Sequence, residues 1–581
     1  MGIPAFFSNI IKNYIKIIQP HSAHIKWQTT FDSLYMDCNS IIYDAYYRLK
    51  ASPEKTSHLK SLSDFEHMLV SETIQKIKYY ISLISPTNVV YITFDGVAPF
   101  AKMEQQRTRR YKSVFMAEHS PLSSNNTTTN PADIWSTINI TPGTKFMKLL
   151  NRHIYTEFNY TEKKYGLKKI LVSCSDEEGE GEHKLFHHLR TNLQPNDNVF
   201  VYGLDADLIM LSIFHCHLCK NIYVFREAPE FVKSKISTKS KDDNELLFMD
   251  MNYFTNCLMN EMGCKYKNTS QVYDFAFMCF LLGNDFLPHF PAINLRTNGM
   301  DTLLTTYRKV IGSNPDKSFI SNKTGKIQWK HFHDFIKELA NNERPAILNE
   351  YKIRERMEHY KYPQTTPEEK EQMMNNAPTL YRGEEKYICP TEEYWEERYY
   401  KTLLKMERDD ANIKQISNNY IEGLEWVFKY YTEGCPNWLW NYEYMYPPLL
   451  VDLVKYIPHF ETDYFQENKT RPFHHNTQLL YVIPEKYYDI IDPQFIDEMH
   501  RNQYTQYFEN RRLEFVWAFC KYLWEAHIVL KEVPMDVLLL INQIATKYQS
   551  EKQNVPGLPY KLEKPIKQPK QPKQTTPNKI K

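Results

Sequence analysis

Over the first 310 or so residues, short apolar runs alternate with stretches of helical periodicity, the pattern of an α/β protein. The runs at Ser33–Met36, Asn88–Phe94, Lys169–Ser173 and Asn198–Gly203 predict strands, each followed by acidic residues and then helical text. They predict a mixed or parallel central sheet flanked by helices. Two polar stretches without periodicity, Met116–Trp135 and Glu230–Glu245, predict exposed loops. From about residue 330 the text turns Glu- and Lys-rich through Glu385–Arg408, then strongly aromatic over Trp426–Tyr446, so the second region is expected to be mainly helical. From Gln549 onward, Pro-Lys-Gln repeats leave little to bury and predict a disordered, solvated basic tail. The expected division is 1–310, 311–548 and 549–581.

Composition narrows the class. A chain of 581 residues with 42% hydrophobic and 24% charged positions has ordinary globular proportions. No apolar run reaches the roughly 18 residues that a membrane span requires. The N-terminus lacks a charged-then-apolar leader, and Phe6 stands where an acylation signal wants Ser or Thr. Ten cysteines without paired spacing suggest reduced thiols. The expectation is an intracellular monomer with no membrane partner. A net charge of +1 neither supports nor excludes a nucleic-acid partner.

Five acidic spots fall where an α/β protein places its ligands, at the carboxyl ends of strands or at helix ends. They are Asp37, Asp95, the pair Glu180 and Glu182, the pair Asp205 and Asp207, and Asp285. One Asp after a strand is ordinarily a helix cap. Seven carboxylates sharing one crevice would repel one another and raise each other's pKa values unless cations were present. Hard oxygen donors favour Mg²⁺ or Mn²⁺ over zinc, and two such ions suit phosphodiester hydrolysis.

Directly after Asp95 comes a helical stretch in which Lys102, Gln106, Arg109 and Arg110 share one sector, while Arg107 projects elsewhere. Three cations and an amide on one face make a phosphate pocket, because arginine forks bind phosphate oxygens in pairs.

These residues resemble the catalytic region of the Xrn-type 5′→3′ exoribonucleases. The likeness is carried by Met1–Pro4 with Phe6-Phe7, Leu34–Ile42, Asp95–Arg110, Ile140–Thr144, Gly179–Lys184, Tyr202–Leu211, Phe225–Glu227 and Cys279–Pro291. It continues through Tyr420–Trp426, Trp438–Pro448 and Gln478–Pro484. The resemblance implies a PIN/FEN-like nuclease core and a processive, Mg²⁺-dependent exonuclease acting on single-stranded RNA with a 5′-monophosphate. It implies that all seven carboxylates ligate the metals and that Lys102, Gln106, Arg109 and Arg110 hold the terminal phosphate. Two positions depart from the family pattern. Tyr43 stands where a His is usual, its ring expected to stack on a terminal base opposite Trp440, with Trp438 as the alternative. Phe100 stands where a basic residue is common, which should slightly weaken the rim of the phosphate pocket. By this resemblance the chain is expected to be a minimal version without the long C-terminal extension of the family's large members.

Two other functions remain compatible with the carboxylates alone: a structure-specific DNA 5′-nuclease, and a non-catalytic protein that binds RNA 5′ ends. The run His215-Cys216-His217-Leu218-Cys219 imitates half a zinc site but has no second ligand pair at suitable spacing, so reduced residues at a helix end are expected there. Nucleotide-binding glycine motifs are absent from the sequence.

Overall fold

The computed structural model describes residues 2–3, 5–20, 30–122, 130–192, 194–228, 245–264, 269–466, 470–510 and 512–553. Seven strands make one mixed sheet: β1 (Ile18–Pro20), β2 (Ser33–Asp37), β3 (Val89–Thr93), β4 (Lys169–Ser173), β5 (Gln194–Tyr202), β6 (Cys219–Glu227) and β7 (Leu246–Asp250), in the order β1-β7-β6-β5-β2-β3-β4. β2 lies parallel to both β3 and β5, and the parallel pairing continues to β4 on one side and β6 on the other. β7 and β1 close the β6 edge antiparallel.

Parallel strands covered on both faces carry unbroken apolar runs, and every residue of β2 is buried. Successive side chains then divide between the faces. Leu34, Met36, Phe200 and Tyr202 pack with helices Asn39–Lys50, Leu62–Ile84 and Lys145–Phe158. Tyr35, Val199 and Val201 enter the opposite layer, built on helices Gly181–Thr191, Asp207–His215 and Thr269–Cys279. That second cluster extends into helix Asp410–Thr432 through Tyr420, Leu424, Trp426 and Val427. The later, largely helical part of the chain is thus packed directly onto one face of the sheet.

Helix Phe100–His119 leaves the end of β3 and runs against the second region. Its first residue donates from its backbone N–H to the Trp438 carbonyl at 2.9 Å. Phe100 itself is buried against Phe473 and Tyr481, so it is a core residue and does not line the rim expected for it.

The structure also corrects local expectations. The stretch expected to be a loop from Met116 begins inside this helix, which ends only at His119, and Pro131–Ile134 forms a further helical turn. Residues 123–129 and most of the loop expected at Glu230–Glu245 lie outside the described residues. The continuous helical text at Glu385–Arg408 is broken into Gly383–Ile388 and Trp395–Tyr399 around Pro390, which has no N–H for a helix ladder. The final helix, Met535–Gln553, passes the expected start of the tail at Gln549, and residues 554–581 lie outside the described residues. Among the described residues, no helix is long and apolar enough to cross a membrane.

Candidate active site

The order of the parallel strands reverses between β2 and β5, and the carboxylates gather outside the carboxyl ends of these strands. Asp37 is the last residue of β2, and Asp95 follows β3 by two positions. Glu180 and Glu182 open helix Gly181–Thr191 after β4; Asp205 and Asp207 lie where β5 passes into helix Asp207–His215. Asp285 comes from the turn after Phe280–Leu282, where Asn284 Oδ1 accepts the N–H groups of Phe286 and Leu287, each at 2.9 Å.

Carboxylate oxygens of Asp37, Asp95 and Glu182 all lie within 4.8 Å of one another. Glu182 also forms a second such group with Glu180 and His183. Packing brings them this close: a Cβ at Gly181 would sit 2.6 Å from Asp37 Oδ1. Asp95 Oδ1 accepts the Gly181 N–H at 2.7 Å, and Asn39 donates its side-chain amide to the other oxygen of Asp95.

The electrostatic consequence is the one expected from clustering. Burial, then repulsion from Asp95, Asp205 and Glu180, pushes the Asp37 carboxyl well above the usual carboxylate range. Glu182 is raised in the same way by burial, Glu180, Asp37 and Asp95. The buried Oδ1 of Asp37 has no hydrogen-bond partner, and the possible ligand atoms grouped here are carboxylate oxygens and one imidazole. A buried set of carboxylate oxygens of this kind, with more acids than cations, fits a hard divalent cation.

Lys102 supplies the counter-charge on the other side. Its ammonium lies 2.5 Å from Glu180 and 2.8 Å from Asp285. Burial alone would lower its pKa, but Asp285, Glu180, Glu182 and Asp207 outweigh burial and raise it well above the usual lysine value. Asp285 is correspondingly held below the usual range: burial works to raise it, and Lys102 overcomes that.

Farther along the same helix face, Gln106 is buried with Oε1 unpartnered, and Arg110 has a buried Nη1 without an acceptor. Burial brings the Arg110 pKa down to about 10, with Tyr43 acting in the opposite sense, so the guanidinium keeps its charge at neutral pH. Tyr43, half-buried on helix Asn39–Lys50, therefore stands within electrostatic reach of Arg110. Arg109 is partly exposed and acts on Asp285. Arg107 turns away: its guanidinium lies 4.7 Å from the Tyr481 ring centre and donates to the Lys531 carbonyl at 2.9 Å. Trp440 is buried and stacked on Trp426, ring centres 5.2 Å apart, whereas Trp438 is only half-buried.

Residues 1–228 match the family model described as the XRN 5'-3' exonuclease N-terminus, and residues 265–389 and 388–530 match that of the Xrn1 helical domain. The chain belongs to the XRN 5'-3' exonuclease family. Among curated relatives, the "5'-3' exoribonuclease 1" of Saccharomyces cerevisiae is 25% identical over 87% of this chain and 40% of its own length. The human "5'-3' exoribonuclease 1" is 26% identical over 83% of this chain and 30% of its own. The "5'-3' exoribonuclease 2" of Gallus gallus is 25% identical over 83% of this chain and 63% of its own. The chain thus spans between 30% and 63% of the length of these relatives.

Within this XRN site, several residues escaped sequence reasoning. Tyr430 and Tyr431, from helix Asp410–Thr432, donate their hydroxyls to Glu180 at 2.8 Å and to Asp207 at 2.5 Å. His183 stacks on Tyr430 with ring centres 3.6 Å apart, and burial drives its pKa well below the usual value, so the ring is neutral. Lys184 donates to the carbonyls of Phe94 and Cys174, each at 2.9 Å, and so ties the ends of β3 and β4 together. The Asn39, His183 and Lys184 positions flank the acidic motifs and were legible as polar neighbours; nothing local in the sequence points from Tyr430 or Tyr431 to acids over 200 residues away. The residues that resemble half a zinc site are otherwise engaged. His215 bonds the Leu211 carbonyl at 2.6 Å and Arg190 at 2.9 Å, and His217 bonds the Tyr273 hydroxyl at 3.0 Å.

Proposed function

We propose that this chain is a processive 5′→3′ exoribonuclease that hydrolyses single-stranded RNA with a 5′-monophosphate and releases nucleoside 5′-monophosphates. The observation that carries the reading is one helix face that joins two chemistries. At its start, Lys102 bridges Glu180 and Asp285; two turns on, Arg110 presents a buried N–H with no acceptor. A terminal phosphate satisfies that donor, so the substrate end is fixed at a set distance from the carboxylates.

Asp37, Asp95, Glu180, Glu182, Asp205, Asp207 and Asp285 would hold two Mg²⁺ (or Mn²⁺) ions, which supply an activated water and charge for the leaving oxygen. Gln106, Arg109 and Arg110, with Lys102 at the inner end, bind and orient the terminal phosphate. Tyr43 stacks on the terminal base, and of the two indoles considered opposite it we assign Trp438, the one that keeps open surface. A terminal hydroxyl leaves the Arg110 donor unsatisfied, and a cap adds bulk inside a buried pocket. Each cleavage creates a new 5′-monophosphate, which takes the same place, and this gives direction and processivity together.

In this reading residues 1–310 form the catalytic part and 311–548 brace it, supported by the hydroxyls of Tyr430 and Tyr431 on the carboxylates. The protein acts inside the cell as a monomer in RNA decay or processing. The test is Asp205→Ala: Mg²⁺-dependent mononucleotide release is expected to disappear while binding of 5′-monophosphate RNA persists. An active variant would show that the centre has been misplaced, and a wild-type protein that binds RNA ends without digesting them would leave only an end-binding role.

A further inference from the structure

Helix Phe100–His119 has a second face. Ala101, Glu104, Gln105, Thr108 and Lys112 lie on the side away from the phosphate-facing residues and line a cavity of about 1480 Å³. Its inner end is formed by Asp205 and Asp285, both members of the carboxylate set, and its wall reaches outward to Lys521 and Trp524, the latter 47% exposed. The space exceeds the roughly 300–1000 Å³ of an ordinary small-molecule site. A nucleoside monophosphate fits with room to spare.

The lining is suited to transit more than to retention. Most of its cations are already engaged: Lys112 donates to the carbonyls of Trp524 and Ala526, Arg107 to that of Lys531, and Arg296 pairs with Glu525. Arg226 gives one N–H to the Leu204 carbonyl and keeps a buried Nε without an acceptor, and Lys521 stands over the Tyr522 ring. Glu104, Glu443, Glu525 and Glu532 face the same space and would repel a phosphate. The acidic side chains outnumber the cations left for an anion, Arg226 near Asp205 and Lys521 at the outer end, and the inner end opens on the atoms where the product forms.

We propose that this cavity is the exit route for the nucleoside 5′-monophosphate, separate from the pocket that receives the RNA end. The proposal rests on the exoribonuclease reading. With the product leaving behind the helix, the strand stays seated in front of it and advances by one nucleotide without backing out.

The experiment narrows the passage in the full-length chain with Gln105→Trp/Thr108→Trp, and separately with Thr108→Trp alone, neither residue belonging to the site described above. Rapid-quench digestion of 5′-monophosphate RNA labelled in its 5′ phosphate reads the first cleavage, and the same RNA labelled at its 3′ end reads the later ones. The expected result is a first cleavage at the wild-type rate and later steps at least five-fold slower in the double variant, less so in the single one. Labelled mononucleotide should then remain with the enzyme through rapid desalting. Later steps at the wild-type rate in folded variants would overturn the exit route while leaving the exoribonuclease reading intact. A first step already slowed in both variants would overturn it as well, since this face would then act on the chemistry. Absence of digestion by the wild type would overturn the underlying reading and the route with it.

Discussion

At the scale of single residues, the distinctive position is Tyr43, half-buried and within reach of Arg110. Aromatic stacking on a nucleobase contributes about 1–3 kcal/mol, so Tyr43→Ala should weaken binding of single-stranded RNA by roughly five-fold or more in an Asp205→Ala background. Fluorescence anisotropy reads this directly, and Tyr43→His should restore most of the affinity. Arg110 governs a different quantity. Hydrogen bonds to charged groups are worth about 1.5–3 kcal/mol, so Arg110→Met should reduce the preference for a 5′-phosphate over a 5′-hydroxyl by roughly ten-fold or more. Competition digests with both RNAs measure that ratio. An unchanged preference would place the terminal phosphate elsewhere. These residues could be named from the sequence because acids at strand ends and cations at helical spacing leave a local signature. Phe100 was misjudged for the opposite reason: its position in a motif says nothing of Phe473 and Tyr481, which close over it from the far end of the chain.

At the scale of elements, strands β2 to β5 were readable because burial on both faces forces continuous apolar text. The antiparallel edge, β6 with β7, was not identified, since a short apolar run without alternation reads equally well as buried helix. Pro390 was visible in the sequence, yet Glu- and Lys-rich text on either side outweighed it in the helical reading. The contribution of helix Asp410–Thr432 to the site was also hidden. Its Tyr430 and Tyr431 hydroxyls orient Glu180 and Asp207, and partners of that kind commonly change metal affinity or activity about 10–100-fold. Tyr430→Phe/Tyr431→Phe should therefore raise the Mg²⁺ concentration for half-maximal digestion by at least ten-fold, with circular dichroism unchanged. An unaltered Mg²⁺ dependence would reduce this helix to packing alone.

At the scale of the whole molecule, the carboxylate cluster works against the fold when no cation is present. Asp37 and Glu182 are held above their ordinary range by burial and mutual repulsion. A carboxyl raised on folding contributes stability that is complete below its unfolded pKa of about 4 and is lost as pH rises through the folded value. In EDTA the melting temperature should therefore lose ground as pH rises above the ordinary carboxylate range of about 4. Mg²⁺ should restore it by several degrees, most at the higher pH, because the ion binds the folded state alone. Asp37→Asn should flatten the EDTA profile while abolishing digestion. Scanning fluorimetry across pH, with and without the ion, measures all three curves.

The proposed activity depends on a metal centre coupled to a pocket for a terminal phosphate. The most direct measurement is digestion of one labelled sequence in three forms: 5′-monophosphate RNA, 5′-hydroxyl RNA and 5′-monophosphate DNA, each with Mg²⁺ or EDTA. The expected result is mononucleotide release from the 5′-monophosphate RNA alone, and only with Mg²⁺. Equal digestion of the RNA and the DNA, or of the phosphorylated and hydroxyl ends, would contradict it.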